Sequence, residues 1–285
     1  MGVIVLCIVM VAAGLLAIAR WGAMAVQPPP TPAGYEPGPD GRPPVGLVVR
    51  RYLWYLTLAV SAGAAAGLLA AGAGGRLVMR LLAVTAGPGA QGRITEADQV
   101  VGRISVDGTL GFIIFTGLLF GAASGAAYLV LRRWLPAGRA GGAVFGALLL
   151  VLAGVRLEPL RPGNPDFDLV GPGWVSVAAF TALVLFHGML VAALAGRLSR
   201  SIPLLAPTAP AIAAHLPLLL LALGSVALVA AMVGAVAVLA SQIPAVVAAW
   251  RDQRALTAGR VVLGLVALVA LPSFASAVVD ILGRP

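Results

Sequence analysis

The chain contains no lysine, a single cysteine and only two histidines, and charged residues make up 10% of its 285 positions. Without lysine it can form neither the phosphate-binding loop that ends in Lys-Ser/Thr nor a Schiff base with retinal or pyridoxal phosphate. One cysteine, Cys7, cannot form an intramolecular disulfide or a cysteine metal cluster. Two histidines without acids at matching spacing do not make a metal site, so we expect neither a metal nor a cofactor.

Apolar residues dominate what is present. They make up 60% of the chain, and the mean hydropathy is +1.02. A soluble domain carries about 25% charged residues. The apolar residues here are gathered into blocks long enough, at about 20 residues each, to cross about 30 Å of hydrocarbon. The sequence therefore predicts an all-α, polytopic transmembrane helix bundle with seven spans, whose main partner is the lipid bilayer.

Three regions are predicted along the chain. Residues 1–26 form an N-terminal transmembrane helix, residues 27–48 a proline- and glycine-rich tether, and residues 49–285 a six-helix transmembrane bundle. The segment 23–25 (Ala-Met-Ala) has the form of a signal-peptidase site, and cleavage there would leave six spans. A retained signal anchor is favoured, because no basic region precedes the apolar stretch. The last five spans are predicted at residues 110–131, 140–155, 170–195, 211–240 and 261–281.

The 19 arginines are scattered at the ends of the apolar blocks. Arginines in such positions orient helices and meet anionic lipid headgroups, whereas a nucleic-acid-binding protein would gather them into a patch. The pairs Arg50-Arg51 and Arg132-Arg133 fall on the same predicted side, which predicts an outside N-terminus and a cytoplasmic C-terminus. A chain rich in alanine, glycine and arginine indicates a GC-rich genome, and we expect the plasma membrane of a bacterium.

Small residues recur every four positions in three predicted spans. Four-residue spacing puts them on one helix face, where two backbones approach closely and gain van der Waals contact in lipid. The pattern predicts tight helix packing, within the chain or against a partner helix or a second copy. The residues concerned are Gly63, Gly67, Ala71 and Gly75, then Gly117, Gly121 and Gly125, and finally Gly188, Ala192 and Gly196.

A polar stretch between the second and third spans holds the first group of candidate site residues. Thr95 followed by Asp98 has the form of a helix N-cap, which predicts a short amphipathic outer helix near residues 95–105. Glu96 and Asp98 are expected to form ion pairs with Arg76, Arg80 or Arg93 and to dock this loop on the bundle. Alternatively, Arg76 and Arg80, one helical turn apart, bind an anionic ligand such as a lipid phosphate.

His187 is the second candidate, because it is the strongly polar ionisable residue near the middle of a predicted span. Such a residue is a functional candidate by default, although a neutral imidazole satisfied by a neighbouring helix is the commoner outcome. Ser124 in "GAASGAAYLV" vaguely resembles the nucleophile motif of rhomboid proteases, and His187 could supply the base. The resemblance is partial, because Ala122 replaces the expected glycine and the remaining rhomboid motifs are missing.

Three classes of function remain open after these observations. A non-catalytic membrane scaffold or partner-binding protein fits the glycine pattern and the scarcity of buried polar groups best. A small-solute or lipid transporter would use Arg76, Arg80 and His187. An intramembrane hydrolase ranks third, because no nucleophile and base stand at a convincing spacing.

Overall fold

The computed structural model describes residues 2–32, 34–35, 42–222 and 225–284, and in these ranges the chain forms ten α-helices. Part of the predicted tether, residues 33 and 36–41, lies outside the described residues. The helices are α1 (Gly2–Trp21), α2 (Val45–Ala66), α3 (Gly75–Thr85), α4 (Val106–Leu131), α5 (Gly138–Leu149), α6 (Gly173–Leu198), α7 (Ala209–Ala214), α8 (Ser225–Ser241), α9 (Pro244–Arg251) and α10 (Gln253–Leu282). The predicted all-α class is confirmed.

Two of the apolar helices contain π-helical segments. The segment Gly67–Gly74 joins α2 to α3 without a break, so that Val45–Thr85 is one helix of 41 residues. The segment Leu150–Gly154 extends α5 to Gly154. Glycine or alanine occupies all of the last five positions of the first segment. Residues without bulky side chains let the helix widen while a neighbour packs close to it.

In the described part of the chain, five helices are long and apolar enough to cross a membrane, and such helices are those of a membrane protein. They are α1, the continuous helix Val45–Thr85, α4, α6 and α10. A sixth candidate is the pair formed by α8 and α9, which are bent by 96° relative to each other, and the helix Gly138–Gly154 is shorter. The predicted number of seven spans is therefore not confirmed.

The glycine rows form the contact surfaces at the centre of the bundle, as the four-residue spacing predicts. A Cβ atom on Gly67 would lie 2.7 Å from the Cα atom of Gly121, and one on Gly121 would collide with the carbonyl oxygen of Gly63. The same holds for α5 and α6, where a Cβ atom on Gly142 would lie 2.7 Å from the Cα atom of Met189. The closest helix pairs in this bundle thus touch backbone to backbone.

The segment that follows α6 returns to the end of the bundle from which it departs. Near its beginning, Arg50 Nε of α2 donates to the carbonyl oxygen of Leu205. Just after its last helix, Gln242 Nε2 hydrogen-bonds to the carbonyl oxygen of Pro43, which directly precedes α2. Between these points, the described residues form α7, a 3-10 turn at Leu216–Ala222 and α8. The single span predicted at 211–240 is therefore replaced by helices that enter and leave at the same end.

Because this segment returns, α10 crosses the bundle in the direction opposite to that predicted with a span at 211–240. Its first turns contact Trp134 through Gly259, just beyond the end of α4, while its last residues reach the loop 155–172, where Arg284 hydrogen-bonds to Asp168. The start of α1 lies at that same end, because Cys7 packs against Ile113 near the start of α4. The start of α1 and the end of α10 thus lie at the same end of the bundle, whereas the predicted N-outside, C-cytoplasmic arrangement has them at opposite ends.

We call this side the loop end and the opposite side the arginine end. The loop end carries the loops 86–105 and 155–172, the start of α1 and the end of α10. The arginine end carries the end of α1, the start of α2, the end of α4, the loop 199–208 and α9.

The predicted outer helix near residues 95–105 is absent, and this stretch folds as a short hairpin instead. Ile94 and Val100 form an antiparallel bridge, and Asp98 closes the turn with φ of 54°. Gly92 and Gly102 flank the hairpin with φ of 82° and 86°. An α-helix cannot continue through residues in the left-handed conformation. Asp98 divides the stretch between the two glycines into pieces too short to form a stable helix. The cap that the sequence contains is Ser105, whose Oγ accepts from Gly108 N at the start of α4.

Candidate functional site

Arg76 and Arg80, the two predicted ligand-binding arginines on α3, both reach toward the second half of the loop 86–105 and the start of α4. Arg76 Nη2 donates to Thr109 Oγ1 at 3.1 Å, and its guanidinium lies 5.4 Å from the ring centre of Phe112. Arg80 Nη1 donates to the carbonyl oxygen of Gly102 at 3.3 Å. Both guanidinium groups thus interact with neutral groups of the protein, namely a hydroxyl, an aromatic ring and a backbone carbonyl. Neither of them has a carboxylate partner in the described structure.

Glu96 finds its ion-pair partner in the other loop of the loop end. Its carboxylate pairs with Arg161, and its backbone N–H donates to Asp166 Oδ1 at 2.8 Å. A hydrogen bond from Arg161 to Glu158, together with the charges of Glu158 and Glu96, raises the pKa of Arg161. The expected pairing of Glu96 with Arg76, Arg80 or Arg93 is not formed, because the loop 155–172 lies beside Glu96 and supplies Arg161 as its partner.

The remaining predicted ion-pair residues, Arg93 and Asp98, lie on the exposed hairpin. Neither takes part in an ion pair among the described residues. Arg93 contributes its backbone carbonyl, which accepts from Val101 N at 2.9 Å, and Asp98 contributes the turn conformation. Val101 is buried against α3. Apolar packing and backbone hydrogen bonds, together with the Glu96–Arg161 pair, thus dock the loop.

The end of α10 adds a cation that the sequence analysis placed on the opposite side. Arg284 forms ion pairs with Asp280 at 2.9 Å and Asp168 at 3.4 Å, and it donates to the carbonyl oxygen of Asn164. All four ion pairs among the described residues therefore lie at the loop end. Exposed pairs of this kind contribute little to stability, so they fix the loops in place more than they stabilise the bundle.

His187 and Ser124 meet inside the bundle. Ser124 Oγ lies 2.8 Å from His187 Nε2, and both residues are buried, at 7% and 8% exposure. Ser124 Oγ also lies 2.8 Å from the carbonyl oxygen of Gly121 in its own helix. His187 Nδ1 is buried without a hydrogen-bond partner in the described structure. The serine–histidine proximity that a rhomboid-like site requires is therefore present, although the sequence motif that usually accompanies it is not.

The hydroxyl proton of Ser124 decides what this pair can do. A carbonyl oxygen only accepts, so a hydroxyl that donates to Gly121 receives its second hydrogen bond from an Nε2–H of His187. In that arrangement the pair is an interhelical tie. Nucleophilic attack needs the reverse, with the hydroxyl donating to a free Nε2, and it needs a carboxylate or carbonyl that orients Nδ1–H.

The lack of space around Ser124 also argues against catalysis by this pair. The neighbouring Gly121 and Gly125 touch the backbone of α2 so closely that a single Cβ atom on either would collide with a carbonyl oxygen of that helix. On the other side, Gly188 lies directly against Gly142 and Gly146 of α5. The helices leave no space for even one added methyl group on either side of the pair, so a substrate cannot reach Ser124 in this conformation. The pair instead connects α4 to α6.

The three predicted ligand-binding residues are not brought together. Arg76 contacts Thr109 on α4, whereas His187 contacts Ser124 on the same helix. Fifteen residues of α-helix separate these two contacts, which is about 22 Å at 1.5 Å per residue. In the described parts of the chain, no group of three His, Cys, Asp or Glu residues is placed to hold a metal ion.

Comparison with protein-family models, with curated proteins and with solved structures finds no match to this chain. The function is therefore inferred from the chain's own geometry.

Proposed function

We propose that this protein is a non-catalytic membrane scaffold that holds a partner helix within the bilayer. The observation that carries the proposal is a row of exposed alanines on α8, at Ala227, Ala231 and Ala235. They repeat the four-residue spacing by which the glycines of α2 and α4 bring two backbones into contact. The hydrophobic effect does not drive helices together in lipid, so association depends on close van der Waals packing. A face of small residues allows that packing.

The packing of α8 supports the same proposal. The helix touches the bundle along a narrow strip, where Gly234 lies against the ring of Tyr52 and the Tyr52 hydroxyl donates to the carbonyl oxygen of Ala230. The alanine row lies beside this strip and is open to the membrane. A partner helix seated on the row would extend the interface between α2 and α8 rather than displace it.

The candidate reactive groups fit a scaffold better than a transporter or a hydrolase. Arg76 and Arg80 bind groups of the protein itself, and His187 is closed in with Ser124 about 22 Å away along α4. A transporter that used all three would need them to line one path. A hydrolase would need an opening to Ser124 between helices that touch through their backbones.

We also propose that the arginine end faces the cytoplasm of a bacterial cell. The return of α7 and α8 places twelve arginines at the arginine end and seven at the loop end. The residues at the arginine end are 20, 42, 50, 51, 132, 133, 139, 197, 200, 251, 254 and 260. An excess of twelve arginines over seven is a positive-inside bias, and it puts the start of α1 and the end of α10 outside.

The scaffold proposal is tested by extraction in native lipid nanodiscs followed by native mass spectrometry. The parent chain should carry a further polypeptide, either a second copy or another protein. Ala231→Leu places three extra carbons in the row and should lower the occupancy about tenfold, because overpacking a helix contact costs about 1–3 kcal/mol. Ala237→Leu makes the same change on the other flank of α8 and should leave occupancy unchanged. A parent chain released without any partner, or equal occupancy in both variants, would refute the proposal.

A further inference from the structure

A groove of about 290 Å³ runs between the π segment Leu150–Gly154 and α10. Five of its six lining residues are apolar, and the sixth is Arg156, which follows the π segment by two residues. The lining residues are Leu152, Arg156, Leu265, Val266, Val269 and Ala270. The groove belongs to none of the candidate sites described above, and it combines a long apolar wall with one cation.

The side chain of Arg156 folds back along its own helix, away from the loop that follows it. Its Nη1 atom donates to the carbonyl oxygen of Leu152 at 2.9 Å, one turn back along the helix. The side chain therefore turns back along its own helix, and Arg156 lines the groove together with residues of α10. The single hydrogen bond to Leu152 leaves the other N–H groups of the guanidinium free to bind an external acceptor.

The charges around Arg156 give it no internal counter-ion. The nearest acid along the chain, Glu158, pairs with Arg161, and Arg161 also pairs with Glu96. No ion pair in the described structure includes Arg156. A cation next to hydrocarbon is costly unless it reaches an anion or water. For an arginine at the end of a membrane helix, the phosphates of the surrounding lipids are such anions.

We infer that this groove binds a phospholipid with an anionic headgroup, whose phosphate pairs with Arg156 and whose acyl chain lies along α10. The planar guanidinium suits bidentate contact with two phosphate oxygens, and the apolar wall suits a hydrocarbon chain. The wall is open to the membrane, since Leu265 and Val269 are exposed at 54% and 79%. A lipid seated there would fill the gap between α10 and α5. This inference is independent of the proposed scaffold function.

The binding is measured on the full chain in detergent, with phosphatidylglycerol or phosphatidylcholine added and retained lipid counted by native mass spectrometry. The parent should retain phosphatidylglycerol in preference to phosphatidylcholine. Arg156→Gln should lower phosphatidylglycerol retention about tenfold, because it removes the charge that pairs with phosphate. Arg103→Gln removes an exposed arginine at the same end of the bundle and should retain the lipid like the parent. Arg156→Lys keeps the charge and should retain most of the binding.

Two further arms distinguish a lipid from a free anion. Val266→Trp fills the groove without changing charge and should also lower retention, whereas Val279→Trp, on an exposed part of α10 outside the groove, should not. Inorganic phosphate alone should leave the melting temperature of the parent unchanged. The inference is overturned if Arg156→Gln retains phosphatidylglycerol like the parent, if Val266→Trp has no effect, or if phosphate alone stabilises the protein as the lipid does.

Discussion

Gly121→Leu should prevent the folded bundle from forming. Gly121 of α4 lies between Gly63 and Gly67 of α2, and a single Cβ atom there would collide with the Gly63 carbonyl oxygen. The obstacle is backbone, which cannot rotate away as a flexible side chain does. Overpacking a core costs about 1–3 kcal/mol when side chains can yield, and we expect a larger loss here because two helices must separate.

The control for this variant lies on α10. Gly264→Leu makes the same substitution at a helical glycine whose Cβ direction is open, with no atom within 4 Å. We expect Gly264→Leu to express and melt like the parent, or slightly above it because leucine is the better helix former. Both variants are compared by size-exclusion chromatography and thermal unfolding in the same detergent. A monodisperse Gly121→Leu protein with the parent's melting temperature would contradict the backbone contact between α2 and α4.

Trp54→Ala should be the most damaging truncation of an aromatic side chain. Trp54 is fully buried, its indole N–H donates to the carbonyl oxygen of Ile202 at 2.8 Å, and its ring packs edge-on against Tyr55. It therefore attaches the loop 199–208 to α2. Truncating a buried aromatic ring to alanine costs about 3–5 kcal/mol. Trp54→Phe, which keeps a ring and loses the hydrogen bond, should cost less.

Trp174→Ala is the matched control, because Trp174 is 64% exposed at the start of α6. We expect a change within about 0.5 kcal/mol for this variant. The free energy of unfolding in mixed micelles measures the difference between the two. Equal destabilisation by Trp54→Ala and Trp174→Ala would mean that Trp54 is a surface anchor at the headgroups and not a core residue.

Sequence reasoning succeeded where a local pattern decides the structure. Hydropathy identified the long helices, and the four-residue glycine spacing identified the contact faces of α4 and α6. The four-residue spacing has a direct physical meaning. Side chains at i and i+4 share one helix face, and glycine, which has no side chain, permits backbone contact there. The spacing could not say which faces meet. The face of α4 packs against Gly63 and Gly67, which the spacing also identified, and the face of α6 packs against Gly142 and Gly146, which it did not identify.

Errors arose where the outcome depends on distant contacts. An apolar stretch of 30 residues at 211–240 has the length of a span, and only the bonds to Pro43 and Leu205 show that it returns. The outer helix near 95–105 was predicted from a cap pattern, whereas Gly92 and Gly102 take left-handed conformations that stop a helix. Glu96 has a partner 65 residues away in Arg161, which no local spacing could indicate.

The Ser124–His187 contact is an intermediate case. A partial resemblance to rhomboid proteases relates Ser124 to His187, but the motifs that accompany the pair in that family are missing from the sequence. The structure joins them at 2.8 Å without those motifs. Proximity was thus predictable from residue type and depth, since two polar groups inside a membrane bundle satisfy each other best. Catalytic use requires an open approach, which the glycine contacts around Ser124 do not leave.

The helices α7 and α8 enter and leave at the arginine end, and for this reason the start of α1 and the end of α10 both lie at the loop end. Single cysteines test this directly, because the natural Cys7 is buried and can be replaced by serine. Labelling of whole cells with a membrane-impermeant maleimide should modify Asp98→Cys and Gly283→Cys. It should spare Ser201→Cys and Gln253→Cys until the membrane is permeabilised. Modification of Gly283→Cys together with Ser201→Cys, or of Ser201→Cys and Gln253→Cys from opposite sides, would contradict the account.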